Sequence, residues 1–126
     1  MRHLILLVFL TSFNLIGDDY ILNLTGKRIY NTEHNYSKKD NYRIFELEGA
    51  FTDNLGNYGI WDNASTVTLQ NKNVINLQGY GKRIFQNNEI IYIKGFRNKQ
   101  EQQSGVGKTK VVNASTSLKS LIGMSC

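Results

Sequence analysis

The sequence predicts an all-β protein: one antiparallel meander forming a small β-barrel or sandwich. Three observations carry this. The 126 residues include seven Tyr, six Phe and one Trp, flat side chains that suit a half-buried pleated surface. Alternating apolar and polar segments recur with turn signals at roughly 8–12-residue spacing. No segment holds a convincing helical period. Proline is absent, while glycine, with 11 residues, and asparagine are abundant. Both tolerate positive φ and can close tight turns without proline.

The chain opens with "MRHLILLVFLTSFNLIG", a basic start followed by an apolar run from Leu4 to Leu10. A membrane span needs about 20 apolar residues. The shorter run fits a secretory signal over residues 1–17, leaving a single β domain at 18–126 and placing the protein in the periplasm or outside the cell. The alternative is a first strand over Leu4–Leu10, buried on both faces. In "YRIFELEGAF" (42–51), Phe45, Leu47, Gly49 and Phe51 alternate with Ile44, Glu46 and Glu48, which is a strand with one apolar face. "DNLGN" (53–57) is a turn in which Gly56 supplies the permissive backbone. "YGIWD" (58–62) and "STVTLQ" (65–70) read as strands, "NKN" (71–73) as a hairpin turn, and "VINLQGYG" (74–81) as the returning strand. Asn87 and Asn88 make another turn before "EIIYIKGF" (89–96). "KQEQQS" (99–104) is a polar loop, and "GVGKTKVV" (105–112) a further strand. Ser115–Ile122 is too short for a stable helix by itself. "GKRIY" (26–30) returns as "GKRIF" (81–85), a pair of similar basic strand starts rather than a repeat architecture.

The net charge of +5 and pI near 9.4 favour weak attraction to anionic surfaces. The single cysteine, Cys126, is the last residue and cannot close an internal disulfide. "SGVGKTK" (104–110) imitates a phosphate loop, but Gln102 stands where the first glycine is needed and no helix pattern follows. No nucleotide is expected there. "GYGKRIF" (79–85) imitates an RNA-binding strand, with Gln78 and Lys82 breaking the pattern, so no nucleic acid is expected either. His34 is the lone histidine after residue 17. No His, Cys and carboxylate spacing fits a metal site, and no cofactor is expected. Glu46 and Glu48 share a strand face and form a candidate coupled acid pair.

"VVNASTSLKSLIG" (111–123) resembles a segment of the dirigent and allene-oxide-cyclase-like β-barrels. Val111 and Val112 match an apolar pair and Gly123 a final glycine, while Asn113, Ala114, Thr116 and Ser120 stand where glycines are usual. "GAFTDNLGNYG" (49–59) is similar to a hairpin of small exported barrels. The resemblance covers about residues 42–123. It implies a barrel shortened at its C-terminal end, left open, and able to pair its edges with another chain; Cys126 offers a second route to self-association. It carries over no catalytic residue.

The leading expectation is therefore an exported protein without catalysis. Phe45, Leu47, Phe51, Ile60, Leu69, Leu77, Ile91 and Ile93, with Val67 and Ile75, would line an interior that could hold a small apolar ligand. The alternatives are a cyclase or isomerase acting on a lipid-derived substrate through Glu46 or Glu48, and a surface protein that binds anionic polymers.

Overall fold

The computed structural model describes residues 19–98 and 107–126. The N-terminal apolar run, the "KQEQQS" loop and the start of "SGVGKTK" lie outside the described residues. Six strands follow one another as β1 (Leu22–Asn35), β2 (Asn41–Asp53), β3 (Tyr58–Gln70), β4 (Asn73–Phe85), β5 (Ile90–Asn98) and β6 (Lys108–Ala114). Each pairs antiparallel with the next, in the order β1-β2-β3-β4-β5-β6. The protein is all-β, as its patterning predicts, and its single sheet is not closed into a barrel. A short 3-10 helix, Thr116–Leu121, follows β6.

The hairpins use the turn chemistry of their residues. Asn71 and Lys72 have φ of 50° and 66° and join Gln70 to Asn73 in a two-residue turn, the form whose twist suits a hairpin. The β2–β3 and β4–β5 loops have four residues each, the third of them in left-handed backbone, at Gly56 (φ 86°) and Asn88 (φ 66°). Asp53 fixes the first, accepting the Leu55 and Asn57 amides at 2.9 and 2.8 Å. The segments "YGIWD" and "STVTLQ" form one continuous strand, β3. The β1 hairpin begins upstream of the clear alternation and is as long as its neighbours.

Opposed residues in an antiparallel ladder share a face. One register row runs Leu24, Phe51, Gly59, Phe85; the next runs Gly26, Gly49, Trp61, Arg83, Ile91, Ala114. A third runs Arg28, Leu47, Asn63, Gly81, Ile93, Val111, and a fourth Asn31, Phe45, Ser65, Gly79, Gly95, Thr109. This inner face holds the buried apolar residues Phe51, Val67 and Ile91, and buried Ser65.

Glycines of the strands project to the inner face. A Cβ at Gly49 would overlap the Thr25 carbonyl, and one at Gly59 the Ile84 carbonyl. Neighbouring backbone thus stands where side chains would be, so the sheet bends toward this face. Aromatic rings cover the gaps: Phe51 and Phe85 meet edge-to-face at 5.3 Å across Gly59. Trp61 lies over Gly26 and Gly49, and its indole N–H donates to the carbonyls of Thr25 (3.1 Å) and Ala50 (3.0 Å).

Three bulges interrupt the alternation. Ile29, Ile75 and Val112 are the extra residues, left without opposed partners. The β6 edge is covered by the chain's own end: Thr109 and Cys126 exchange backbone hydrogen bonds at 2.9 and 3.0 Å, as do Val111 with Met124 and Gly123. The outer edge of β1 has no strand beside it among the described residues.

The glycine positions make a paired prediction. Gly49→Ala should lower stability measured by urea unfolding, because its methyl meets backbone. Gly95→Ala should be neutral or stabilising by up to about 1 kcal/mol, because a Cβ there meets only the Thr109 methyl at 4.0 Å. Equal effects of the two substitutions would contradict the close-approach account.

Candidate functional site

The residues expected to line an interior divide between the faces. Phe45, Leu47, Phe51, Leu69, Leu77, Ile91 and Ile93 stand on the inner face, in the register rows with Val67. Ile60 does not. It opposes Ala50 and Ile84 on the outer face and is 59% exposed. The reason is parity: Gly59 and Trp61 point inward, so Ile60 between them points out. Ile75 is the bulge residue of β4, and Val74 takes the place beside Leu69. No second layer of described elements covers the inner face, and the sheet remains open, so an apolar ligand would meet a face rather than an enclosed interior.

The inner face also carries arginines that the alternation of apolar residues hides. Arg28 lies over the Phe45 ring at 5.8 Å and Arg83 over Phe51 at 5.9 Å. Guanidinium is planar and weakly hydrated, so it can cover an aromatic face at little cost. Arg43 Nε stands 3.0 Å from Glu33 Oε2 but out of line for a hydrogen bond; Nη2 donates to Oε1 at 3.4 Å. The lysines of the strands stand on the outer face. The twice-used "GKRI" shows the division: Lys27 pairs with Glu48 and Lys82 with Asp62, both at 3.4 Å, outside, while Arg28 and Arg83 turn inward. The copies then diverge, because the bulge at Ile29 sends Tyr30 outward whereas Phe85 stays inside.

One end of the inner face is closed by polar contacts. The Tyr20 hydroxyl donates to Asp53 Oδ2 at 3.1 Å. Burial, then the bond to Asp53, raises the Tyr20 pKa above its usual value. Burial lowers that of Arg83, opposed by Tyr20, Cys126 and Asp53. For Asp53 desolvation acts upward, but donors from Asn57, Tyr20 and Leu55 together outweigh it and hold the carboxyl below its usual range.

Glu46 and Glu48 both stand exposed on the outer face, so the acid pair that the lipid-cyclase alternative would use is open to water. Lys108–Ala114 is a strand, with Gly107 just before it, where a phosphate loop would open a helix. Among the described residues no group of three His, Cys, Asp or Glu is placed to hold a metal.

The outer face carries two further features. A shallow groove of about 490 Å³ runs across β1–β4, with Thr25, Ala50, Ile60 and Ile84 along it and the charges of Lys27, Glu48 and Asp62 at its side. Beyond it, the outer face of β4–β6 presents Tyr80, Tyr92 and Phe96, 57%, 42% and 37% exposed. Lys94 opposes Tyr80 and Lys110 in one register row, and Lys82 opposes Tyr92. Lys94 Nζ lies 5.5 Å from the Tyr80 ring centre. No Asp or Glu projects from this face of β4–β6, whereas Glu46, Glu48 and Asp62 project from the same face of β2 and β3. Sequence reading misses this cluster because its members are spread over residues 80–110; the alternation of Tyr92, Lys94 and Phe96 is the one local signal.

Comparison with protein-family models, curated proteins and solved structures finds no match.

The Asp53 cluster gives a pH test. Its folded pKa is depressed, so its stabilisation is present above the unfolded value of about 3.9 and is lost as pH falls through the folded value. Asp53→Asn should therefore be less stable than wild type at neutral pH, with the gap narrowing below about pH 4, as thermal melts across that range would show. A gap independent of pH would remove the charge from the account.

Proposed function

We propose that this is a non-enzymatic binding protein for an anionic polymer, which it meets with the outer face of β4–β6. The observation that carries the reading is the company of the lysines: Lys82, Lys94 and Lys110 stand among three exposed aromatic rings on strands that themselves carry no Asp or Glu on this face. Flat rings offer contact to sugar or other planar groups, and the ammonium groups supply attraction that salt screens. Asp62 neutralises part of the charge on Lys82, so Lys94 and Lys110 are the main contributors. Export, read from the N-terminal apolar run, would put acidic polymers of an envelope or matrix within reach.

A second reading, an apolar ligand on the inner face, is favoured by the half-buried Phe45, Leu47, Leu69, Leu77 and Ile93, which share that face without a second layer of described elements over them. Trp61, the one tryptophan, lies on the same face and would report it.

Two measurements separate the readings. Retention on a heparin column, as a model sulfated polymer, should fall with salt, and Lys94→Ala with Lys110→Ala should lower the slope of log affinity against log salt by about one per lysine. No retention at low salt, or an unchanged slope, would end the polymer reading. Titration with a medium-chain fatty alcohol should shift Trp61 emission in a saturable way if the inner face binds apolar molecules; a flat response would end that reading.

A further inference from the structure

We infer that the end of the sheet formed by the β1–β2 loop and the β3–β4 turn is a binding site for a tetrahedral oxyanion, a phosphate or phosphate ester group. A cup of about 350 Å³ lies there, lined by Lys38, Lys39, Lys72 and Arg43 with Asn35, Ser37, Asp40, Asn41 and Leu69. It is separate from the polymer surface on β4–β6 and does not depend on that reading.

Charge points to an anion. Four cations line the cup against one carboxylate, Asp40, which already accepts the Asn71 amide at 2.8 Å. Arg43 is held by Glu33. Among the described residues Lys38, Lys39 and Lys72 have no ion pair. Cations gathered at one end of the sheet without a counter-charge repel one another, a cost that a bound anion would remove.

The cup is also preformed. Lys72 N–H donates to the Lys39 carbonyl at 2.9 Å, and with the Asn71–Asp40 bond this ties the two loops together. Ser37 Oγ accepts the amides of Lys39 and Asp40 at 3.1 and 3.0 Å, fixing the β1–β2 loop. Groups held in place in advance lose less freedom on binding.

Lys72 itself supplies the sharpest observation. Its φ of 66° is left-handed, at the turn position where glycine is the favoured residue. A lysine there holds a strained backbone conformation, and the residue is part of the cup's lining. Lys72→Gly should therefore raise the melting temperature while weakening anion binding, opposite changes that a merely structural residue would not show.

The test is titration of the full chain with inorganic phosphate, followed by amide chemical shifts. Saturable shifts confined to residues 36–41 and 70–73 are expected. Each of Lys39→Gln and Lys72→Gly should weaken them about fivefold, the effect of removing one unit charge near 4 Å in water, while Lys94→Ala should leave them unchanged. Unsaturable shifts spread over every lysine-bearing surface, or wild-type affinity in Lys72→Gly, would overturn the site. Sedimentation with phosphatidic acid vesicles, against phosphatidylcholine vesicles, identifies the source: lysine-dependent sedimentation with the former alone marks a lipid headgroup, and saturable phosphate binding without sedimentation marks a soluble ester. Loss of both would reject the inference.

Discussion

The fold depends on the close approach of backbone to backbone on the inner face. At Gly49 and Gly59 the carbonyl of a neighbouring strand occupies the space of a Cβ. The strands can bend this sharply because there is no side chain to resist. The rings of Phe51, Phe85 and Trp61 then lie over the bare backbone and restore the apolar contact that glycine removes. The Trp61 N–H caps two carbonyls in the same stroke. Bending, burial and hydrogen bonding are thus one arrangement, and no member of it works without the others.

A consequence is economy of core. Phe51, Val67 and Ile91 are the buried apolar residues among those described. Much of the remaining inner face is shielded at its margins by arginines laid over rings, and by the Tyr20–Asp53 contact at one end. The sheet's two edges are treated differently. The C-terminal segment hydrogen-bonds along β6, which satisfies donors and acceptors that an edge strand would otherwise present. At β1 the bulge at Ile29 interrupts the regular ladder, and such irregularity disfavours pairing with a further strand.

The division of cations follows from hydration. Consecutive residues in a strand face opposite ways, so each Lys-Arg pair must commit one cation to each face. Arginine takes the inner position, where its weakly hydrated plane can stack on Phe45 or Phe51. Lysine, a compact and strongly hydrated charge, goes to the side that meets water and finds a carboxylate on the next strand. The same rule gathers Lys94 and Lys110 on the outer face, beside rings that the core does not need.

The all-β class, the order of the strands from Tyr42 onward and the turns at Gly56, Asn71 and Asn88 were legible in the sequence, because they rest on local periodicity and on backbone conformations few residues adopt. The inner placement of Phe45, Leu47, Phe51 and Val67 was legible for the same reason. Ile60 and Ile75 were not, since one follows an inward glycine and the other sits in a bulge, and apolar character alone does not fix parity. Whether the sheet closes, which cations share a face, and the meeting of Lys38 and Lys39 with Lys72 were decided only in three dimensions. Each depends on register between segments distant along the chain, a relation that local sequence does not encode.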